Sequence, residues 1–250
     1  MGYKRQLSVV AVLSLIATLA AAQNSRPELQ TIIDRMVSTQ LAQHQQFRPY
    51  VVTREYQLFK GDDRNPDSEV VASVSYFPPD TKQFSITNTA GSGRGERVVR
   101  KVLEHESKMA GNWRDSAITA DNYKFSFVGE EILNGRRCFV LGLAPLRDSK
   151  ELIEGRAWVD AESFHIRQIA GEPSKSPSWW IKKLNVKLSF GEVEGMWLQT
   201  ATHADADVRF LGRHELDSRD INYKTGAEAA RLQKLQRREP QDLLGVAIVR

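Results

Sequence analysis

The sequence has 250 residues, 41% of them hydrophobic, and a formal net charge of +4. This length suits one large domain or two small ones, and the apolar fraction is sufficient for a buried core. Two of the four excess positive charges are those of Lys4 and Arg5, in a predicted leader, which leaves +2. The chain thus lacks the basic surplus typical of nucleic-acid-binding proteins, and we expect no nucleic-acid partner.

The first 22 residues follow the plan of a secretory signal peptide. Lys4 and Arg5 precede an apolar stretch at residues 7–19, and three alanines end at Ala22. This pattern predicts cleavage after Ala22 and a periplasmic location. The alternative is an uncleaved membrane anchor, which is disfavoured because the apolar run is shorter than the ~20 residues that span a bilayer. Cys138 is the only cysteine, so packing rather than an internal disulfide must stabilise the fold.

Two helices are predicted in the first half of the chain. Residues 27–45 have apolar positions at helical spacing, with Ser25 as the N-cap and Pro27 near the first helical position. Residues 95–110 repeat the pattern, and Gly111 follows as a terminating residue. Each helix has one apolar face, so each must cover an apolar surface elsewhere in the protein.

Alternation of apolar and polar residues predicts an antiparallel sheet. The pattern is clearest within residues 182–190, where even-numbered positions from Leu184 to Phe190 are apolar. The pair Asn134-Gly135 is typical of a two-residue hairpin turn. A short helical piece is expected at residues 115–122. The predicted strands are residues 47–60, 70–76, a third around Phe84 and Ile86, 123–127, 128–133, 137–143, 153–160, 164–171, 181–190, 197–203, 205–211 and 215–223.

No motif in the sequence indicates an active site. Asp160, Glu162 and His165 are the one set that suits a hydrolytic cluster, with His165 as a general base. A histidine on the rim or outer face is the favoured interpretation, because no nucleophile is indicated. The Glu-His-Glu run at 104–106 does not match a zinc spacing, since adjacent residues on a helix point apart. We therefore expect no catalytic residue, no metal and no cofactor.

The apolar side of the predicted sheet is the candidate binding surface. If the two helices cover only part of it, the remainder is a concave surface fit for an acyl chain or a lipidated partner, and if they cover all of it, it is ordinary core. The sequence leaves both alternatives open, and a one-residue change of register would invert the set of lining residues. The candidate ligand-binding residues are Tyr50, Val52, Tyr56, Leu58, Val74, Tyr76, Phe84, Ile86, Leu141, Trp158, Leu184, Val186, Leu188 and Phe190.

Five motifs of the chain are similar to those of a known family. They are Asn122-Tyr123-Lys124-Phe125, Asn134-Gly135-Arg136, Gly155-Arg156-Ala157-Trp158-Val159-Asp160 with Arg167, Ser176-Pro177-Ser178-Trp179-Trp180, and Met196-Trp197-Leu198. They resemble bacterial outer-membrane lipoprotein-sorting proteins, the relatives of the periplasmic carrier LolA and the outer-membrane receptor LolB. The likeness covers residues 29–223, and its strongest element is the strand that ends in Trp-Val-Asp and is followed by a strand bearing arginine.

The resemblance implies a mainly β fold with flanking helices (α+β), a half-open antiparallel β-barrel whose concave face is covered by helices. It also implies a non-enzymatic carrier whose apolar interior receives the acyl chains of lipoproteins or other lipids. Inner- or outer-membrane sorting components would be further partners. The carriers have an arginine latch, for which Arg54 and Arg167 are the candidates here. An envelope-stress sensor with the same fold is the alternative function.

The expected organisation has three parts. Residues 1–22 are the signal peptide, residues 23–225 form the LolA-like half-barrel domain, and residues 226–250 form a basic C-terminal helical extension. The absence of a cysteine near the cleavage point favours a soluble carrier over an anchored receptor. We expect the protein to be a monomer.

Overall fold

The computed structural model describes residues 27–232. The predicted signal peptide, Ser25 and most of the C-terminal extension lie outside the described residues. The two long helices are α1 (Leu29–Gln46) and α2 (Gly93–Ala110), and a single 3-10 turn follows at Trp113–Asp115. The strands are β1 (Tyr50–Lys60), β2 (Ser68–Phe77), β3 (Thr81–Gly91), β4 (Tyr123–Leu133), β5 (Arg136–Pro145), β6 (Ile153–Asp160), β7 (Ile166–Pro173), β8 (Ile181–Val193), β9 (Met196–Val208) and β10 (Gly212–Thr225).

All ten strands belong to one antiparallel sheet, in the order β3-β2-β1-β10-β9-β8-β7-β6-β5-β4. Eight of the nine strand pairings join strands that are consecutive in sequence, and the pairing of β1 with β10 joins the first three strands to the last seven. Strands β3 and β4 are the two edges, so the sheet is not closed. The predicted mainly β, half-open architecture with flanking helices is confirmed.

The two helices cover opposite ends of the same face of the sheet. Helix α1 buries Ile32 and Met36 against strands β4 to β7, and α2 buries Val99 and Leu103 against strands β1 to β3. Across the register, Leu141 under α1 and Tyr56 under α2 belong to one continuous row of paired residues. Since directly paired residues of antiparallel strands share a face, both helices lie on the same side.

Local turn chemistry sets the hairpin between β4 and β5. Asn134 and Gly135 have φ of 50° and 77°, the left-handed values that a tight two-residue hairpin requires. The predicted Asn134-Gly135 hairpin is therefore confirmed. Helix α1 has Glu28 at its N-cap position and begins two residues after the predicted start.

Three predictions of secondary structure differ from the structure. Residues 123–127 and 128–133, predicted as separate strands, form the single strand β4. Residues 197–203 and 205–211, also predicted as separate strands, form the single strand β9 as far as Val208, and residues 209–211 belong to the turn that follows. Asp205 instead continues the outer face of the strand, where it forms an ion pair with Arg213. The helical piece predicted at residues 115–122 is also wrong, since the only helical turn there is Trp113–Asp115.

After β10 the chain turns into a helix at residues 226–232, where Ala229 is buried and Lys224 pairs with Glu228. Within residues 27–232, no helix is both long enough and apolar enough to cross a bilayer.

Candidate functional site

Between the two helix-covered ends, the middle of the concave face is lined by nine residues from three strands. We call this surface the central strip, and it consists of Leu184, Val186 and Leu188 of β8, Thr202, Ala204 and Ala206 of β9, and His214, Leu216 and Ser218 of β10. All are half-buried except Ser218, which is buried. The strip therefore belongs neither to the fully buried core nor to the open surface.

The opposite face of the same strands is charged. Lys183, Asn185 and Lys187 of β8 are all exposed, and they alternate with the apolar residues of the strip. An ion pair from Arg213 Nη2 to Asp205 Oδ2 at 3.1 Å connects β10 to β9 on this outer face, and a hydrogen bond joins His203 Nδ1 and Asp217 Oδ1 at 2.7 Å. A sheet that is polar on one side and apolar on the other has its apolar side directed at a non-aqueous neighbour.

Small residues occur in one row of paired positions that crosses the sheet. The row runs from Gly155 and Gly171 through Val186 to Ala204 and Leu216. The two glycines are in close contact, since a Cβ on Gly155 would lie 2.7 Å from the Cα of Gly171. Strands β6 and β7 therefore pack closely at this point, and Ala204 is the smallest residue of the row within the strip.

The structure separates the fourteen predicted lining residues into groups. Tyr50, Val52, Tyr56, Val74 and Tyr76 are buried core beneath α2, and Leu141 is buried core beneath α1. Leu58, Phe84 and Ile86 pack at the margin of the α2 core, and Leu188 and Phe190 at that of the α1 core. Leu184 and Val186 lie in the strip between the two cores.

Trp158 lies on the other face of the sheet, so its prediction as a lining residue is corrected. Its neighbour Ala157 pairs with Leu141 on the concave face, and alternation along β6 turns Trp158 outward. There the indole Nε1 donates to Glu131 Oε2 at 2.8 Å. Sequence reasoning also missed residues of the strip, because the small side chains of Thr202, Ala204 and Ala206 carry no apolar signal.

A buried arginine ties α2 to the sheet beside the strip. Arg54 is 5% exposed, and its Nη1 donates to Glu106 Oε1 of α2 at 2.8 Å. Its Nε and Nη2 bind both carboxylate oxygens of Asp220 on β10. Tyr223 donates to Asp220 Oδ2 at 3.0 Å, and Lys82 Nζ lies 3.6 Å from Glu106 Oε2. Of the two candidate latch residues, Arg54 is the one that joins a covering helix to the sheet.

The charges of this network hold one another ionised. Burial by itself raises the pKa of Glu106, but the nearby positive charges of Arg54 and Lys82 outweigh that effect and lower the pKa below its ordinary value. Burial also raises the pKa of Tyr223, and the carboxylate of Asp220 raises it further. Tyr223 is therefore protonated, and its hydroxyl donates a hydrogen bond to Asp220 in addition to those from Arg54.

The other latch candidate, Arg167, stabilises a turn. Its Nε lies 2.5 Å from Asp160 Oδ2, while Asp160 Oδ1 accepts from the backbone N–H groups of Glu162 and Ser163. Burial raises the pKa of Asp160, but these hydrogen bonds outweigh it and lower the pKa to about 2. Both carboxylate oxygens thus hold the turn between β6 and β7.

His165 is held by packing rather than by an acidic partner. Its ring stacks on the indole of Trp197 with centroids 4.4 Å apart, and its Nε2 contacts the side-chain amide of Gln43 on α1. Burial lowers its pKa. The predicted trio is therefore divided, with Asp160 engaged in the turn, Glu162 exposed beside Arg136 and His165 stacked under α1.

Two clefts open outside the central strip. One, of about 670 Å³, is polar and lies between the end of α2 and the loop after β5, with Asn112, Asn122 and Arg147 in its wall. The other, of about 680 Å³, lies between Phe84 of β3 and the Lys101 side of α2. Neither cleft includes a residue of the strip.

Comparison with known proteins gives matches among solved structures alone. No family model matches the sequence, and no curated protein matches it. A DUF1329 family protein from Desulfovibrio piger is similar at 14% identity, with 81% of this chain and 95% of that chain covered and a TM-score of 0.43.

Two further solved structures are similar at comparable levels. For a putative outer membrane lipoprotein-sorting protein domain from Vibrio parahaemolyticus, the identity is 11%, the coverage 77% of this chain and 91% of that chain, and the TM-score 0.45. For a LolA superfamily protein from Nitrosomonas europaea, the identity is 10%, the coverage is 80% of this chain and 94% of that chain, and the TM-score is 0.39.

Proposed function

We propose that this protein is a periplasmic, non-enzymatic binder or carrier of acyl chains, those of lipoproteins or of other lipids. The observation that supports the proposal is the asymmetry of strands β8 to β10. Their outer face is a network of ion pairs, whereas their inner face is the apolar central strip, which the cores under α1 and α2 leave half-buried.

The chemistry of the strip suits a hydrocarbon guest. His214 is the only one of its nine residues with an ionisable side chain, and Ala204 and Ala206 leave space above the centre of the sheet. Burial of apolar surface contributes about 25 cal/mol per Å², so an acyl chain lying along the strip gains several kcal/mol before the loss of its own freedom is subtracted. No covalent step is required.

The position of Arg54 suggests how a guest would enter. Helix α2 covers one side of the strip and is joined to the sheet through the pair of Arg54 with Glu106. A chain that enters between α2 and the strip has to displace this part of the helix. Opening would separate a buried ion pair, which makes the closed state the resting state of the empty protein.

Native mass spectrometry of the protein purified from its own cell envelope tests this proposal. We expect lipid or acylated peptide to co-purify, and the delipidated protein to bind a fluorescent fatty acid with a saturable signal. Absence of both would overturn the proposal. Capture of one membrane protein in place of assorted lipids or lipoproteins would favour the alternative function, an envelope-stress sensor with the same fold.

A further inference from the structure

Two neighbouring loop tips expose large apolar side chains at one end of the sheet. Trp179 and Trp180 precede β8 and are 77% and 38% exposed, and Phe210 and Leu211 in the β9–β10 turn are 96% and 55% exposed. We call these four residues the tip patch. They lie at the end where β7 and β9 finish and β8 and β10 begin, just beyond Leu184, Ala206 and His214 at that end of the central strip.

The two loops are joined into one unit by hydrogen bonds from Arg209. Its backbone N–H donates to the carbonyl oxygen of Trp180 at 2.7 Å, and its Nε donates to that of Trp179 at 2.9 Å. Both carbonyls of the tryptophan pair are therefore bound to the turn that carries Phe210. The tip patch is a preorganised surface, not two independent loops.

The conformation of Phe210 is unfavourable for its residue type. Its φ of 67° lies in the left-handed region, where glycine and asparagine are tolerated and a bulky side chain is an outlier. The same side chain is almost wholly exposed to water. A strained backbone and an exposed aromatic ring both oppose phenylalanine here in an isolated protein, which indicates that the ring has a partner.

The two loops of the tip patch are basic, and acids of the adjoining strands and of the β1–β2 loop neutralise part of their charge. Residues 174–183 and 209–213 contain five lysines and arginines and no acid. Lys182, Lys183 and Arg213 are paired with acids of the sheet, whereas Lys175 and Arg209 form no ion pair within residues 27–232. Tryptophan and phenylalanine beside unpaired cations suit the boundary between lipid headgroups and acyl chains, where Trp is enriched and cations attract anionic lipids.

We propose that the tip patch docks the protein onto the surface of a membrane that contains anionic lipid. Trp179, Trp180, Phe210 and Leu211 enter the interfacial layer, and Lys175 and Arg209 contact the headgroups. A small projecting tip suits insertion between lipids better than a protein interface, which requires about 800 Å² per partner. This docking is separate from acyl-chain binding on the central strip.

Vesicle flotation of the purified protein tests the proposal, with vesicles of phosphatidylcholine alone or mixed with phosphatidylglycerol. We expect binding to the mixed vesicles, weakened by salt because the cation contribution is screened. Phe210→Asn removes the ring and relieves the backbone, so it should keep or raise the melting temperature. With Leu211→Ser added, binding should fall about ten-fold or more.

Control variants distinguish docking by the tip patch from a general effect of exposed apolar side chains and from acyl-chain binding on the central strip. Ile132 and Val128 on β4 are 70% and 48% exposed, so Val128→Ser with Ile132→Ser removes apolar surface elsewhere and should leave flotation unchanged. Val186→Asp in the central strip should also leave it unchanged. The proposal is overturned if the protein binds neither kind of vesicle, or if the double substitution on β4 weakens binding as much as the double substitution in the tip patch. Capture of an envelope protein by a cross-linker at position 210, without any vesicle binding, would also overturn it.

Discussion

Arg54 on β1 donates from Nη1 to both carboxylate oxygens of Glu106 on α2, at 2.8 and 2.9 Å. The same guanidinium binds Asp220 on β10, so one side chain joins two adjacent strands to the helix that covers them. The contact lies at the border between the α2 core and the central strip. It defines how firmly α2 is held where an acyl chain would enter.

Removal of this guanidinium should be strongly destabilising. Arg54→Met keeps most of the volume but leaves Asp220 as a buried carboxylate without its cation, and leaves Glu106 with Lys82 at 3.6 Å as its cationic partner. We expect the free energy of unfolding to fall by about 3–5 kcal/mol, measured by urea denaturation. The control is Arg100→Met, which removes an exposed ion pair with Glu96 on the same helix. It should change the free energy of unfolding by less than about 1 kcal/mol. Equal effects of the two substitutions would contradict this account.

Acid should weaken the turn that Asp160 holds. Its pKa is about 2 in the folded protein against an ordinary value of 3.8, so its contribution is fully present above about pH 4 and is lost as the pH falls towards 2. Asp160→Asn should lower the free energy of unfolding at pH 7 by on the order of 2 kcal/mol, with the difference closing at pH 2.

The control for this pH dependence is Glu162→Gln, two residues away. Glu162 is exposed and pairs only across the surface with Arg136 at 3.3 Å. Urea denaturation at several pH values should give parallel curves for this variant and the unsubstituted protein. If the Asp160→Asn curve also ran parallel down to pH 2, the assignment of the lowered pKa to Asp160 would be wrong.

The close packing of β6 against β7 depends on the absence of a side chain at Gly155. A Cβ there would lie 2.1 Å from the carbonyl oxygen of Ala170, so Gly155→Ala forces β6 and β7 apart. We expect a loss of about 1–3 kcal/mol in thermal or urea unfolding. In Gly129→Ala the new Cβ meets nothing within 4 Å, and that variant should be as stable as the original protein. A harmless Gly155→Ala would show that the two strands are not so closely packed.

The two faces of β8 allow a paired test of lipid binding. Val186→Asp places a carboxylate on the central strip, where an acyl chain would have to desolvate it, whereas Asn185→Asp places the same group on the charged outer face. Titration with a fluorescent fatty acid should show at least about ten-fold weaker binding for Val186→Asp and no change for Asn185→Asp. Circular dichroism checks that both variants are folded. Unchanged affinity in Val186→Asp would remove the strip from the binding site.

The alternation of residues 182–190 predicted which side of β8 is apolar, and Asn134-Gly135 predicted the hairpin between β4 and β5. Both predictions depend on neighbours within a few residues, which is why the sequence alone was sufficient. The same reasoning divided β9 into two strands, because the polar residues around Asp205 resemble a turn. That they continue the strand is evident only from the pairing of Asp205 with Arg213 on β10.

The local pattern was sufficient to predict two amphipathic helices that cover an antiparallel sheet with one apolar face, because the periods of 3.6 and 2 are properties of single segments. Which apolar residues the helices cover depends on how the segments pack in three dimensions. Tyr56 became core and Val186 did not, because α2 lies over β1 and β2 while neither helical core includes Val186. The meeting of Arg54, Glu106 and Asp220 likewise required the pairing of β1 with β10, which no local pattern specifies.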